Sequence, residues 1–128
     1  MSSWADEIVA AVMEYSGGRG VDVVIDNVGE ATWPASLRSV RRGGRIVTCG
    51  ATSGAHPSAD LQRLFIRQIQ VYGSTLGTQD EFRGLIAAAA SGAISPAIDR
   101  VFDFDTALDA LDHLANARQC GKLVLKVG

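Results

Sequence analysis

Helical and strand-like patterns of apolar residues take turns along the chain. Apolar residues recur at helical spacing after Ser3 and again after Thr32, and each of these two is predicted to cap the helix that follows it. Short apolar runs come after the helices, and the first of them shows the weak alternation typical of a strand covered on both faces in a parallel sheet. The predicted strands are 21–25, 45–49 and 69–75.

The residues between these runs predict where the other helices begin and end. Gly43-Gly44 is predicted to end the second helix, and Asp60 to cap a short third helix. The tetrad Thr78-Gln79-Asp80-Glu81 has the spacing of a capping box and predicts a fourth helix that ends at Gly92. Strands joined by helical connections of this length indicate a parallel sheet with right-handed crossovers.

The last part of the chain has a different pattern. An extended segment at 98–104 precedes a helix predicted to begin at Asp105 or Thr106. Alternation over 122–127 indicates a strand that is wet on one face or lies at an edge, outside the middle of the parallel sheet. The predicted fold class is therefore α/β: a partial doubly wound, Rossmann-like parallel sheet of about three strands with flanking helices, plus a C-terminal helix and edge strand.

Length and composition narrow the class of protein. The 128 residues suit one domain with a real core, and we predict a helix and parallel-strand half at 1–92 followed by a tail at 93–128. The formal net charge of -2 gives no general attraction for nucleic acid or an anionic membrane, and no apolar window is long enough to span a bilayer. Cys49 and Cys120 are far apart, which fits neither a zinc framework nor a disulfide scaffold, and the start of the chain has no secretory signal. We expect a cytoplasmic protein with reduced thiols.

The carboxyl ends of the three predicted strands are where a ligand is expected, because ligands bind beyond these ends in open parallel sheets. The segments that follow the strands are 27–30, 50–54 and 74–77, and all three are rich in glycine and small residues. Such residues allow a flat ligand to approach the backbone closely. The alternative is that tight turns between strand and helix require small residues in any case.

No phosphate-binding motif accompanies these segments. The glycines at 17–20 follow a helix and precede a strand, which is the wrong context for a dinucleotide fingerprint, and 50–54 has only two glycines, four apart. Asp26, which ends the first strand, is expected to order the turn after it rather than to bind a ribose. No pair of carboxylates and no Ser-His or Cys-His arrangement stands out as a catalytic unit. Four arginines lie around the end of the second helix, where the helix dipole explains them without a bound phosphate: Arg38, Arg41, Arg42 and Arg45.

The order of the longer motifs resembles the C-terminal part of a medium-chain dehydrogenase/reductase. Within that superfamily it is similar to the quinone oxidoreductase and zinc-type alcohol dehydrogenase branches. The motifs are, in order, GGRGVDVVIDNVG, SLRSVRRGGRIVTCGATSG, IQVYGSTLGTQDEF and FDTALDALDHLANARQCGKLVLKV. Each motif is weak alone, but the ordered set is specific and covers nearly the whole chain.

The resemblance implies an enzyme of which this chain is one piece. Members of the family begin with a barrel-like catalytic domain, and their nucleotide-binding domain opens with strands and a glycine-rich fingerprint that have no counterpart here. We therefore expect a truncated fragment of an NAD(P)-dependent oxidoreductase, inactive alone, whose parent transfers hydride to a quinone, an enone or a carbonyl/alcohol substrate. The zinc ligands of the family also have no counterparts. The resemblance leaves open whether the branch uses zinc, and the likeness to quinone oxidoreductases favours a zinc-free branch.

The resemblance also implies the nicotinamide end of a cofactor site at the strand tips. The residues expected there are Asn27, Gly29, Glu30, Gly50, Ala51, Thr52, Thr75 and Leu76. The first three would lie near the ribose on the nicotinamide side, and the others at or beside the nicotinamide. The cofactor of the intact enzyme is expected to be NAD(P), with NADP(H) slightly favoured, and the alternative for this chain by itself is that it binds none.

A self-associating interaction module is the alternative to an enzyme fragment. Strand 21–25 would normally pair with a strand that this chain lacks, and strand 69–75 is the edge that pairs across the homodimer in quinone oxidoreductase relatives. Unpaired apolar edges recruit partners. We expect a homodimer or higher oligomer through these edges, and a missing N-terminal half is the other expected partner.

Overall fold

The computed structural model describes residues 4–128, so the predicted cap at Ser3 lies outside the described residues. The chain divides into two compact units, the first ending at Leu76 and the second spanning Gly77–Gly128. Within residues 4–128, no helix has the length and apolar character needed to cross a membrane.

Helices and strands alternate in the first unit. Its elements are α1 (Trp4–Tyr15), β1 (Val21–Asp26), α2 (Trp33–Ser39), β2 (Val40–Thr48), α3 (Leu61–Arg67) and β3 (Gln70–Gly73). The three strands form one sheet in the order β1-β2-β3, and both pairs are parallel. The predicted α/β class and the parallel arrangement of the three strands are confirmed.

The prediction that Gly43-Gly44 ends the second helix is wrong. Helix α2 ends at Ser39, and β2 begins at once because Val40 has an extended backbone (φ -73°, ψ 138°) and a fully buried side chain. The two glycines lie inside β2, beside an irregularity in its pairing with β1. A Cβ on Gly44 would lie 3.0 Å from the backbone oxygen of Asp22 in β1, so glycine lets the two strands stay close here.

The core of the first unit lies between α2 and β2. Partly buried apolar residues from β1, from α3 and from the segment after α3 surround a small buried cluster. The buried members are Trp33, Leu37, Val40 and Ile46, and the surrounding ones are Val24, Leu64 and Ile69. This cluster fixes α2 on the sheet and thereby fixes the loop that joins β1 to α2.

Arginines of α3 stabilise the C-terminal end of α2. Arg63 Nε donates to the carbonyl oxygen of Leu37 at 2.8 Å, and an Arg67 guanidinium nitrogen donates to that of Val40 at 3.3 Å. The last carbonyls of a helix lack partners within the helix, and a cation there also complements the helix dipole. The sequence pattern did not single out these two arginines.

Three of the four arginines that the sequence assigned to this helix end have other contacts. Arg38 forms an ion pair with Asp6 of α1 at 2.7 Å, and Arg41 forms one with Asp22. Arg42 donates to the side chain of Gln68 at 3.3 Å. The first two contacts therefore join helices and strands of the first unit to one another.

The second unit contains α4 (Gln79–Ala90), β4 (Ile98–Asp103), α5 (Ala107–Ala115) and β5 (Lys122–Lys126). Strands β4 and β5 pair in parallel as a separate two-stranded sheet, so β5 lies outside the three-stranded sheet as predicted. Helix α5 begins after a 3-10 turn at Phe104–Thr106, and Thr106 is its N-cap residue.

Asp99 in β4 links the parts of the second unit. It accepts a hydrogen bond from the backbone N–H of Cys120 at 3.1 Å, and its other oxygen lies 3.1 Å from Nε2 of His113 in α5. The bond from Cys120 lowers the pKa of Asp99 most, against the opposing effect of burial, and His113 lowers it further. His113 therefore has a structural partner in the part of the chain that the structure describes.

Replacing Thr78 by alanine is expected to destabilise α4 by about 1 kcal/mol, because Thr78 is one half of a complete capping box. Its hydroxyl accepts from the backbone N–H of Glu81 at 3.3 Å, and the Glu81 carboxylate accepts from the backbone N–H of Thr78 at 2.6 Å. Hydrogen exchange of the first-turn amides of α4 measures the effect. The control is Thr106→Ala, because Thr106 is the N-cap residue of α5 and makes no side-chain cap bond. The prediction would be contradicted if Thr106→Ala accelerated exchange in the first turn of α5 as much as Thr78→Ala does in the first turn of α4.

Candidate functional site

The carboxyl ends of β1, β2 and β3 lie at one edge of the sheet, because adjacent parallel strands end on the same side. The loop after β1 spans 27–32, the loop after β2 spans 49–60, and the segment after β3 begins at Ser74. The backbone N–H of Ser74 donates to the carbonyl oxygen of Thr48 in β2 at 2.9 Å. This edge carries all eight residues that the sequence predicted for a cofactor site.

Asp26 orders the loop after β1, as predicted. One carboxylate oxygen accepts from the backbone N–H groups of Val28 and Gly29, both at 3.0 Å. The hydroxyl of Thr32 lies 2.8 Å from that oxygen, and the hydroxyl of Ser36 donates to the other at 2.7 Å. Thr32 is the N-cap residue of α2, as predicted. Its hydroxyl, however, donates to Asp26 and accepts no hydrogen bond from the backbone N–H groups in the first turn of the helix.

The environment of Asp26 favours the charged carboxylate. Asp26 is only 4% exposed, and this burial by itself raises the pKa of its carboxyl group. The hydrogen bonds from Gly29, Ser36, Thr32 and Val28 together outweigh burial and lower the pKa below its ordinary value. Asp26 is fully engaged by the protein and is therefore a structural group of the site.

The loops after β1 and β2 are joined by hydrogen bonds. The backbone N–H of Glu30 donates to the carbonyl oxygen of Gly54 at 3.1 Å, and the hydroxyl of Thr52 donates to that of Asn27 at 3.2 Å. Ser53 adds further bonds, both from its backbone and from its side chain. These two loops therefore form one continuous surface.

Glycines at this surface permit close contact between the loops. Gly29 is buried and has φ 92°, and a Cβ there would lie 2.5 Å from the carbonyl oxygen of Gly54. A Cβ on Gly50 would lie 2.6 Å from the carbonyl oxygen of Asn27. A Cβ on Gly54 would collide with the carboxylate of Glu30, which lies over that glycine. These glycines therefore admit a neighbouring loop, and ligand approach at this surface stays a prediction.

The structure brings six of the eight predicted cofactor residues together. They lie on the two joined loops and are Asn27, Gly29, Glu30, Gly50, Ala51 and Thr52. The remaining two, Thr75 and Leu76, follow β3 at the same edge of the sheet, where both are exposed. No hydrogen bond among the described residues joins these two to the other loops.

The exposed groups at this edge are mainly uncharged. Asn27 offers an amide, Thr52 and Thr75 offer hydroxyls, and Glu30 offers a carboxylate. Amides and hydroxyls both donate and accept hydrogen bonds, which suits a ligand that carries a carboxamide and sugar hydroxyls. The described residues at 27–32 and 49–54 hold no lysine, arginine or histidine that would neutralise a phosphate.

A groove of the first unit lies beside β1. It has a volume of about 310 Å³ and runs between the free edge of β1 and the apolar residues Ile8 and Val12 of α1. Ser39 also lines it, and the buried hydroxyl of Ser39 has no hydrogen-bond partner among residues 4–128. The groove reaches the loop after β1 at Asn27, Val28 and Thr32.

A metal site is not formed by the part of the chain that the structure describes. Within residues 4–128, no three His, Cys, Asp or Glu side chains come close enough together to hold a metal ion. Cys49 and Cys120 are both free thiols on exposed residues.

Comparison with known proteins identifies the fold and its relatives. An NAD-dependent alcohol dehydrogenase of Sulfolobus acidocaldarius is 35% identical over 117 residues, which are 91% of this chain and 34% of that protein. Quinone oxidoreductase-like protein 2 of Bos taurus is 32% identical over 126 residues, which cover 91% of this chain and 36% of that protein. The chain thus spans about a third of the length of these relatives.

Solved structures agree with this assignment. The crystal structure of an NAD-dependent alcohol dehydrogenase matches all of this chain and 36% of its own, with a TM-score of 0.75 and 28% identity. A 2-octenoyl-CoA carboxylase reductase in complex with NADP and 2-octenoyl-CoA matches 94% of this chain and 27% of its own, with a TM-score of 0.75 and 29% identity. The family model described as zinc-binding dehydrogenase matches residues 5–125. Because that match covers nearly the whole sequence, the chain belongs to the zinc-binding dehydrogenase family, within the medium-chain dehydrogenase/reductase superfamily.

Proposed function

We propose that this chain supplies the nicotinamide side of an NAD(P)(H) site in an oxidoreductase that transfers hydride to or from a quinone, an enone or a carbonyl/alcohol substrate. The observation that carries the proposal is the joined pair of loops at the carboxyl ends of parallel strands, where Asn27 and Thr52 present uncharged hydrogen-bonding groups. The similarity to an NAD-dependent alcohol dehydrogenase of Sulfolobus acidocaldarius supports the proposal.

The residues that would hold the cofactor divide between the loops. Asn27, Gly29 and Glu30 belong to the loop that Asp26 orders, and they suit the ribose next to the nicotinamide. Gly50, Ala51 and Thr52 suit the nicotinamide itself, with Thr75 and Leu76 beside it. The bound cofactor supplies or accepts the hydride, while the protein holds and orients it.

The isolated chain is proposed to be inactive. A pyrophosphate group is normally held by a glycine-rich loop at a helix N-terminus, and the sequence has no such motif in the required context. The described residues also do not fit the zinc ion of the family name, since no metal-ligand cluster forms among residues 4–128. No chemical step is therefore assigned to a metal in this chain.

Isothermal titration of the 128-residue chain with NADH and with NADPH tests whether the chain has a binding site for the pyrophosphate group. We expect both to bind more weakly than micromolar, which means a binding free energy smaller in magnitude than about 8 kcal/mol. Micromolar affinity would show that a main anchor is present and would contradict the proposal that this chain carries only the nicotinamide side.

Exposed strand edges favour a second candidate function, in which the chain self-associates. Strands β1 and β3 are the two edges of the three-stranded sheet, and apolar side chains on both are exposed, with Ile25 at 74% and Tyr72 at 48%. The groove beside β1 adds apolar surface from Ile8 and Val12. Unprotected apolar edges of this kind pair with other strands.

Light scattering at high micromolar concentration tests self-association, and we expect a dimer or larger species. Ile25→Lys should reduce the association, because a charge on an edge strand opposes strand pairing. Leu108→Lys, at an exposed position of α5 in the second unit, is the control. A monomeric wild-type chain would contradict this candidate function.

A further inference from the structure

Ser53 connects the loop after β2 to the loop after β1 through three hydrogen bonds. Its hydroxyl donates to the carbonyl oxygen of Val28 at 2.7 Å and accepts from the backbone N–H of Ala31 at 2.9 Å. Its backbone N–H donates to the same carbonyl oxygen of Val28 at 2.8 Å. Two of the three bonds depend on the side chain.

The partners of Ser53 lie on either side of two predicted cofactor residues. Val28 and Ala31 flank Gly29 and Glu30, so one hydroxyl holds both ends of this short segment. Asp26 holds the segment from the strand side through the N–H groups of Val28 and Gly29. From the neighbouring loop, the Ser53 side chain bonds this segment at two points, Val28 and Ala31. The Thr52 side chain makes a single bond, to the carbonyl oxygen of Asn27.

We propose that Ser53 is a positioning residue of the cofactor site. Its hydroxyl holds 28–31 against 50–54 before a cofactor binds, so that Asn27, Glu30 and Thr52 keep a fixed spacing. Groups held in place beforehand do not have to be ordered on binding, which improves affinity. This role rests on the proposed function, and it acts through the backbone of Val28 and Ala31 rather than through contact with the cofactor.

Hydrogen exchange of the Ala31 amide tests the contact without any cofactor. In Ser53→Ala the Ala31 N–H loses its acceptor, so we expect its exchange to become about 3- to 10-fold faster, in keeping with the loss of one hydrogen bond. The Cys49 amide, which donates to the carbonyl oxygen of Asp26 at 3.0 Å, should be unchanged. Ser53→Thr keeps the hydroxyl and should restore the wild-type exchange rate of Ala31.

Titration of the ¹⁵N-labelled chain with NADPH tests the positioning role. We expect Ser53→Ala to weaken the affinity by about 3- to 10-fold and Ser53→Thr to restore it. The control is Ser58→Ala in the same loop, since the Ser58 hydroxyl makes no hydrogen bond to the described residues 4–128. A purely structural role would lower the urea midpoint of Ser53→Ala and leave the affinity of the folded protein unchanged.

Each outcome decides the proposal. Faster Ala31 exchange together with weaker NADPH binding, both rescued by threonine, supports it. Unchanged Ala31 exchange, or faster exchange with unchanged affinity, overturns it. If the wild-type chain shows no NADPH-dependent shift, the proposed function fails and Ser53 loses its cofactor role, while Ala31 exchange still reports on the loop contact by itself.

Discussion

Replacing Asp26 by alanine is expected to lower the free energy of unfolding of the first unit by about 3 kcal/mol or more. The carboxylate is buried and accepts bonds from two backbone N–H groups and two hydroxyls, and alanine would leave these buried donors without a partner. Urea unfolding followed by tryptophan fluorescence measures the loss, since Trp33 is in the core of this unit.

Asp22 provides the control on the same strand. It forms ion pairs with Arg19 and Arg41, but its side chain is 56% exposed, so Asp22→Ala should change stability far less. If the two alanine variants unfold at the same urea concentration, the buried network does not stabilise the loop as described.

The pKa of Asp26 also gives the sign of its pH dependence. Because the folded-state pKa is lower than the ordinary value of 3.8, the folded protein binds this proton less readily than the unfolded chain. The stability that Asp26 contributes is fully present above about pH 3.8 and is lost as the pH falls through the folded-state pKa. In Asp26→Ala, this part of the acid sensitivity should be absent.

Replacing Gly29 by alanine is expected to destabilise the first unit by about 2–4 kcal/mol, the sum of backbone strain and overpacking. Gly29 has φ 92°, a conformation that side chains rarely adopt. The added Cβ would also lie 2.5 Å from the carbonyl oxygen of Gly54 and 2.9 Å from Cα of Ala51, so the two loops would have to separate. Urea unfolding gives the stability, and the Glu30 amide, which donates to Gly54, should exchange faster.

Gly18 separates the two contributions. It has φ 81°, but a Cβ there would meet no atom within 4 Å, so Gly18→Ala carries the backbone strain alone. We expect a loss of about 1–2 kcal/mol for this control and unchanged exchange of the Glu30 amide. Equal losses for the two variants would mean that the close approach of the loops makes no contribution.

Local patterns in the sequence were sufficient to predict the order and type of most elements. The capping box at Thr78 and Glu81 and the cap at Asp60 depend on residues three apart, and both are present in the structure. The end of α2 was missed because Gly43-Gly44 looks like a helix stop. The burial of Val40 in the core cluster with Trp33 and Leu37, a tertiary effect, ends the helix earlier.

The candidate site was predictable in its location but not in its construction. Parallel strands place their carboxyl ends together, so the edge could be inferred from the order of elements alone. The bonds that join the loops connect residues such as Val28 and Ser53, which are 25 positions apart, and a serine in a turn gives no signal of such a partner. For the same reason the sequence did not indicate that the glycines at 29 and 50 make room for the opposite loop.

Titration with each half of the cofactor separately shows which half this chain binds. The ¹⁵N-labelled chain is titrated with reduced nicotinamide mononucleotide and, separately, with adenosine monophosphate. We expect that the nicotinamide half, and not the adenosine half, shifts the amides at the strand tips: Asn27, Gly29, Glu30, Gly50, Ala51, Thr52, Thr75 and Leu76. Shifts caused only by the adenosine half, or nicotinamide-dependent shifts away from these loops, would contradict it.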